Sequence, residues 1–144
     1  MTTPLARLVQ MHKAIGHPVR LRLLSMLRTG PLCVCQMTAV MKLAASTVSE
    51  HLSELRKAGV VSEKKDGRWV EYRLSANPTA RAVLDAVWPE LDDDPESRAD
   101  AVLLRELRRV PVDELCSVSL DLTRLRRPRL QNAVAKASKM RVRG

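Results

Sequence analysis

Three cysteines, Cys33, Cys35 and Cys116, are the residues of this chain best suited to chemistry. Cys33 and Cys35 are separated by a single residue at the start of a segment, 32–41, whose apolar residues recur at helical spacing. The N–H groups and the dipole of a helix start are expected to lower the pKa of a thiol and to favour the thiolate, which binds soft ions. Positions i and i+2 on a regular helix point about 200° apart. Binding one ion through both sulfurs would therefore distort the start of this helix.

Other roles for the three thiols stay open at this point. The odd number of cysteines, and an N-terminus without the apolar stretch of a secretory signal, favour a cytoplasmic protein with reduced thiols. Cys33 and Cys35 could instead form a redox or persulfide switch, or all three cysteines could be small buried hydrophobic residues. A cysteine-dependent enzyme that resembles an arsenate reductase is a remote alternative, because no Cys-x5-Arg sequence or paired catalytic histidine occurs. We therefore predict that the protein is not an enzyme.

The chain is basic, and its charge is concentrated at one end. The formal net charge is +9 at pH 7. Residues 124–144 contain no acid, and their basic residues are Arg124, Arg126, Arg127, Arg129, Lys136, Lys139, Arg141 and Arg143. This tail is predicted to be mostly disordered or weakly helical, and either to add salt-sensitive affinity for DNA or to remain a solvated extension. Scarce aromatic residues favour duplex DNA over single strands, and the lack of a run of about 18 apolar residues argues against a membrane protein.

Apolar spacing predicts the elements that position these residues. The predicted helices of the first half cover residues 4–15, the segment from His17-Pro18 to Gly30-Pro31, residues 32–41 and residues 45–58. The last two are separated only by a short turn, which is the outline of a helix-turn-helix. After Gly59 the apolar period changes to two, and Asp66-Gly67 between β-prone runs predicts a β-hairpin. A further helix is expected from Asn77-Pro78 to Leu91.

This order of elements predicts a mainly α fold with a small β-hairpin, namely a winged helix-turn-helix. Residues 1–91 are predicted to form a DNA-binding and dimerisation domain, residues 92–123 a C-terminal helical extension that carries Cys116, and residues 124–144 a basic tail. The apolar stripes of the helices at 4–15 and 77–91 exceed what one small core can bury. We therefore expect a homodimer built from these N-terminal and C-terminal helices.

The second helix of a helix-turn-helix lies in the major groove, where its first side chains meet base edges. The residues predicted to read bases are Ser46, Thr47, Ser49 and His51. Val48, Leu52 and Leu55 fall on the other side of this helix and are predicted to face the core. The alternative for the hydroxyl residues is a simple helix-capping role.

Cationic residues flank the base-reading helix. Lys64, Lys65 and Arg68, at the hairpin tip, are predicted to reach phosphates or a minor groove. Arg56 and Lys57, late in the helix, are predicted to contact the DNA backbone from the other side. The alternative for the hairpin is a charged loop that is merely solvated.

Five stretches of this sequence make a more specific pattern together than any one alone. They are HPVRLRLL at 17–24, LCVC at 32–35, STVSEHL at 46–52, LRKAGVV at 55–61 and DGRWVEY at 66–72. In this order they resemble the ArsR/SmtB family of bacterial metalloregulators, over roughly residues 5–91. The resemblance implies a dimeric repressor that binds double-stranded operator DNA, holds no permanent cofactor and is released by an inducer ion.

The Cys-x-Cys sequence is similar to that of the arsenite and antimonite sensors of this family, or of its cadmium and lead sensors. Trivalent arsenic prefers three thiolates, but Thr38 stands where the arsenic sensors carry a third cysteine in the helix. The resemblance therefore implies As(III) or Sb(III) as the inducer, held by Cys33 and Cys35 with Cys116 of the same or the partner subunit as third ligand. Zinc sensing at the dimer helices is poorly supported, since residues 77–91 contain no histidine.

Overall fold

The computed structural model describes residues 2–143. Its elements are α1 (Pro4–Ile15), α2 (Pro18–Leu27), β1 (Leu32–Cys33), α3 (Val34–Met41), α4 (Ala45–Lys57), β2 (Val61–Asp66), β3 (Trp69–Leu74), α5 (Pro78–Asp92), α6 (Pro95–Leu107), α7 (Val112–Ser117), a 3-10 turn (Leu122–Arg124) and α8 (Pro128–Arg143). None of the helices in this described range is long and apolar enough to cross a lipid bilayer.

Short polar side chains followed by proline set the starts of three helices. Thr3, Asn77 and Asp94 each accept a hydrogen bond from an N–H group in the first turn of the helix that follows. Proline stands directly after each of them, where its missing N–H costs no helical hydrogen bond. The predicted starts of α1 and α5 are confirmed.

Helices α2, α3 and α4 form the centre of the fold. Leu23 and Leu24 of α2 are fully buried, as the dense apolar pattern of that segment predicts. Val48, Leu52 and Leu55 of α4 are also fully buried, so the predicted core face of this helix is confirmed. The mainly α winged helix-turn-helix architecture is confirmed as well.

The sheet has three antiparallel strands in the order β1-β3-β2, one more than predicted. The added strand is β1, in which Leu32 pairs with Tyr72 and Cys33 with Glu71. Strands β2 and β3 form the predicted hairpin, which we call the wing, with Asp66 opposite Trp69 and Gly67 in the left-handed region at φ 58°. The strands run further than predicted, so the wing lysines lie on β2 rather than in a loop.

The helix predicted over 32–41 begins later than expected. Cys33 has an extended backbone, with φ −81° and ψ 158°, and is the residue before the helix, while Cys35 lies in its first turn. The prediction that both cysteines stand on one regular helix is therefore wrong. Strand β1 is only two residues long, too short for an alternating apolar pattern to indicate it.

The C-terminal segments pack on the winged core. Helix α6 contacts α2 and α3, and α8 lies along α6. Leu130, Ala133 and Ala137 of α8 are buried, which contradicts the prediction that 124–144 is mostly disordered or weakly helical. Residue 144 lies outside the described residues. The tail is a helix because its small apolar residues recur at helical spacing and cover α6.

A buried carboxylate links α8 to the core. Asp100 of α6 is 1% exposed and accepts two hydrogen bonds of 2.8 Å from Arg22 of α2. Arg141 of α8 donates to the same carboxylate at 3.0 Å and also pairs with Glu96. The negative charges of α6 therefore balance cations from both neighbouring helices.

Candidate functional site

The three cysteines lie at the junction of β1, α3 and α7. Cys33 ends β1 and is buried, and its N–H donates to the Gln36 side chain at 3.0 Å. Cys35 and Cys116 are half-buried, and their sulfurs are 4.0 Å apart although 81 positions separate the residues. We call Cys33, Cys35 and Cys116 the thiol cluster.

Burial and neighbouring thiols change the acidity of Cys35. They raise the pKa of this thiol to about 12, with desolvation as the largest cause and Cys33 and Cys116 as the next. The prediction that the helix start favours a thiolate is therefore wrong for Cys35. A thiolate there would lose hydration and would face two other sulfurs, and these effects outweigh the helix dipole. Cys35 is a protonated thiol at neutral pH.

The residues around Cys116 hold α7 against α3. Leu115 is fully buried, and its carbonyl accepts the N–H of Leu120 at 3.1 Å. Ser119 and Leu120 have positive φ values of 52° and 63°, which are costly for side chains other than glycine. The segment after Cys116 is therefore a tight turn, and packing must hold it.

Among residues 2–143, no three histidine, cysteine or carboxylate side chains are already arranged to hold a metal ion. The Cys35 and Cys116 sulfurs lie 4.0 Å apart and the Cys33 thiol is close enough to raise the pKa of Cys35, but the three thiols do not form a completed metal site. Coordination of one ion by all three sulfurs would therefore require the sulfurs to move relative to their positions in the single chain.

Helix α4 presents the residues predicted to read bases. Ser46 and Ser49 are exposed and Thr47 is half-buried, on the side of α4 away from Val48 and Leu52. These short hydroxyl side chains leave room for close approach to a base edge. Nothing in the single chain covers this face within the described residues.

His51, the fourth predicted base reader, faces α2 instead of lying free. Its Nδ1 accepts a hydrogen bond of 3.1 Å from Arg20 Nε, and its ring centroid is 4.5 Å from that of His17. Burial, followed by His17 and Arg20, lowers the pKa of His51. Neutral His51 can therefore donate only through Nε2. Sequence reasoning could not place Arg20, since its partner lies 31 positions away.

The wing cations predicted to contact the DNA backbone have different partners in the structure. Lys64 and Lys65 are exposed on β2, opposite Glu71 and Val70 of β3. Arg68 stands over the Trp69 ring and forms an exposed ion pair of 3.2 Å with Asp113 of α7. The wing tip therefore touches the helix that carries Cys116, a contact that no sequence signal indicated.

Arg56 and Lys57 end the recognition helix α4 with exposed side chains. Arg56 Nε lies 3.7 Å from Glu63 Oε1 on β2. Lys57 Nζ lies 3.3 Å from Oε1 of Glu54, three residues earlier on α4. Both pairs are exposed and therefore weak. Arg56 and Lys57 can therefore exchange these partners for the phosphates of a polyanion such as DNA.

The family described as "Bacterial regulatory protein, arsR family" matches residues 17–63, which hold α2, α3, α4 and the start of β2. The arsenical resistance operon repressor of Escherichia coli K12 is 34% identical over 83 residues, which are 56% of this chain and 71% of that protein. The chain belongs to the arsR family.

Two further proteins are similar to this chain, one in sequence and one in structure. The arsenic resistance transcriptional regulator ArsR1 of Pseudomonas putida KT2440 is 40% identical over 63 residues, 43% of this chain. The match spans about half of that relative, 49% of its length. The homodimeric winged helix-turn-helix DNA-binding domain Mb0332 from Mycobacterium bovis has a TM-score of 0.53 at 26% identity, covering 60% of this chain and 82% of that one. These relatives are transcriptional regulators and not enzymes, as predicted.

Proposed function

We propose that this arsR-family regulator is a cytoplasmic repressor that binds duplex operator DNA as a homodimer and releases it when trivalent arsenic or antimony binds Cys33, Cys35 and Cys116. The observation that carries the proposal is the 4.0 Å approach of the Cys35 and Cys116 sulfurs, which brings together thiols from α3 and α7. The names of two relatives, both arsenic resistance regulators, support arsenic as the inducer.

Arsenite binding needs no thiolate in the free protein. Arsenous acid carries three hydroxyl groups, and each can be exchanged for a cysteine sulfur. The As–O bond breaks, an As–S bond forms, and the thiol proton leaves with the hydroxide as water. The protonated state of Cys35 is therefore compatible with the reaction. Soft sulfur ligands suit arsenic and antimony better than oxygen ligands do.

Release of DNA would follow from movement of α3. This helix ends at Met41, and the next residue, Lys42, has a positive φ of 55° that starts the turn into the recognition helix α4. A displacement at the start of the eight-residue α3 would be passed to that turn, because the helix is rigid and packed on α4. An ion that binds the displaced form better shifts the population away from the DNA-bound form.

The dimer part of the proposal is supported by an uncovered apolar face on α1. Leu5, Leu8 and Val9 are 74%, 39% and 45% exposed in the single chain. A second copy would cover them and would place two recognition helices about 34–36 Å apart, on successive turns of one DNA face. We expect sizing to give a dimer and footprinting to give an inverted repeat. A monomer with only sequence-independent DNA binding would contradict the proposal.

Substitution of a base-reading residue is expected to change operator affinity and base specificity, whereas substitution of a phosphate-contacting residue is expected to change affinity for all sequences and its salt dependence. Ser49→Ala should cost about 1–3 kcal/mol of operator binding and relax specificity at one base pair. Lys64→Ala should weaken binding to all sequences alike and reduce the salt slope by about one. Both are measured by titration of matched and mismatched operators at several salt concentrations. Arg98→Ala, at an exposed site on α6, is the control. Equal signatures for Ser49 and Lys64 would show that the assignment is wrong.

A second candidate function, favoured by the same sulfur separation, is a redox switch. Hydrogen peroxide would oxidise Cys35 and Cys116 to a disulfide, with loss of two thiol hydrogens and formation of two water molecules. The sulfurs would have to approach from 4.0 Å to bonding distance. Peroxide-induced operator release that dithiothreitol reverses, with a mass loss of two hydrogens, would favour this function over metalloid sensing. Cadmium or lead sensing through the thiols is the other alternative.

A further inference from the structure

The tip of the wing is joined to helix α7 by an exposed ion pair. Arg68, directly after the wing turn at Gly67, donates from Nη2 to Oδ1 of Asp113 at 3.2 Å. The two side chains are 80% and 74% exposed, so solvent surrounds the contact. The Arg68 guanidinium also lies 5.3 Å from the centroid of the Trp69 ring. The pair therefore connects the outermost part of the wing to the C-terminal segment.

Asp113 and DNA would compete for the same cation. Arg68 is predicted to contact the DNA backbone, and a guanidinium group binds carboxylate and phosphate oxygens alike. In the single chain Asp113 already accepts from one of its nitrogens. A phosphate that approached Arg68 would also meet the negative charge of Asp113 at short range, where like charges repel. Full use of Arg68 by DNA therefore requires Asp113 to move away.

Helix α7 is anchored on its inner side and only weakly held at Asp113. Leu115 is fully buried, and Glu114 accepts hydrogen bonds of 3.0 and 2.6 Å from Arg127. The contact of Asp113 with Arg68 is an exposed pair, and such pairs add little stability. A DNA phosphate can therefore displace Asp113 as long as nothing else restrains the start of α7.

The thiol cluster could supply that restraint, since it touches both α7 and the wing strand. Cys116 follows Asp113 by three residues on the six-residue α7, a spacing that places two side chains on one helix face. Cys33 lies on β1, where it pairs with Glu71 of the wing strand β3, three residues after Arg68. An ion that bonds both Cys33 and Cys116 ties α7 to the strand that leads out of the wing turn.

We propose that Asp113 is a displaceable competitor of DNA for Arg68, and that an ion at the thiol cluster holds it in place. The inference rests on the proposed function, in which the ion bonds Cys33, Cys35 and Cys116. Without the ion, phosphate displaces Asp113 and the wing binds DNA. With the ion, α7 is tied to β1, Asp113 stays on Arg68 and the wing loses a phosphate contact. This route acts beside the movement of α3, and Asp113 is a positioning residue rather than a ligand.

The ion-free test is the operator affinity of Asp113→Asn in the full chain at low salt and under reducing conditions. Binding is expected to tighten about two- to fivefold, the range that an exposed ion pair supports. The gain should shrink as salt is raised, because exposed charges are screened. It should vanish when Arg68→Ala is also present, since no competition for that cation then remains. Asp93→Asn, at an exposed aspartate that ends α5, is the control for a general loss of negative charge.

The test with an ion adds saturating arsenite to the same variants. Asp113→Asn is expected to bind arsenite with unchanged stoichiometry, because it keeps all three thiols. Its fold-loss of operator affinity should be smaller than that of the unmodified protein by a factor of about two to five, since the competing carboxylate is gone. Asp93→Asn should respond like the unmodified protein.

The outcomes separate this inference from the proposed function. An ion-free gain that is absent, that Asp93→Asn equals or that persists with Arg68→Ala would overturn the competition between Asp113 and DNA. A full arsenite effect in Asp113→Asn, beside a normal response of the unmodified protein, would overturn the link to the thiol cluster. If the unmodified protein keeps its operator while arsenite is bound, the proposed function fails and the link fails with it. The ion-free comparison then still decides whether Asp113 competes with DNA.

Discussion

Replacement of Cys35 by serine is expected to abolish arsenite-induced release of the operator while leaving operator affinity intact. Cys35 is the thiol that interacts with both Cys33 and Cys116, so its loss removes the 4.0 Å pair of sulfurs and leaves at most two thiols. A serine hydroxyl is a poor ligand for a soft ion. Complete switching requires about 5.5 kcal/mol of preference for the released form, and the thiol–metalloid bonds must supply it. Operator binding is titrated with and without arsenite in each variant.

The other thiol variants separate the ligand roles. Cys33→Ser and Cys116→Ser are both expected to lose the response. A response kept by Cys116→Ser alone would make Cys116 a bystander and leave a solvent thiol as the third ligand. Ser117→Ala, next to Cys116 on α7, controls for disturbance of that helix. An unchanged response in all three cysteine variants would exclude the thiol cluster as the inducer site.

Local patterns were sufficient for the winged core. The burial of Val48, Leu52 and Leu55 follows from spacing alone, and the wing turn follows from Asp66-Gly67. Both signals act within a few residues of chain, where helix and strand periods determine which side is apolar. The two-residue strand β1 gives no such signal. The sequence therefore places Cys33 in the helix, although α3 begins one residue after it.

Long-range partners were beyond sequence reasoning. The basic, proline-interrupted sequence predicts a mostly disordered or weakly helical tail, yet Arg141 is balanced by Asp100 and Glu96 of another helix. The pKa of Cys35 is raised, whereas the sequence predicts that it is lowered, and the cause is again a long-range contact. The helix dipole can be inferred from local sequence, whereas burial beside Cys116 depends on packing between segments 81 positions apart.

Removal of the buried carboxylate, by Asp100→Ala, is expected to destabilise the protein by about 3–5 kcal/mol. The side chain is 2% exposed and joins Arg22 of α2 to Arg141 of α8. Without it, two partly buried guanidinium groups lose their main counter-charge, and α8 loses its polar link to the core. The free energy of unfolding is measured by denaturant titration at neutral pH.

The control for this effect is the exposed ion pair at the wing. Asp113→Ala removes a carboxylate that is 74% exposed, and it should cost less than about 1 kcal/mol. If both variants lost similar stability, the network around Asp100 would not be what holds α8 to the winged core. The loss of stability caused by Asp100→Ala is also expected to depend less on salt concentration than the loss caused by Asp113→Ala, because the buried carboxylate is shielded from ions.

The central claim is that a trivalent metalloid bound at the thiol cluster releases operator DNA. Its most direct test is the operator affinity of the unmodified protein, under reducing conditions, as arsenite, antimonite, cadmium or zinc is added. Arsenite and antimonite are expected to weaken binding at about one ion per chain, by up to about 10⁴-fold for complete switching, and zinc is expected to have little effect. Release by cadmium alone would assign a different inducer to the same thiols. Operator affinity that stays unchanged while arsenite is bound to the protein would contradict the claim.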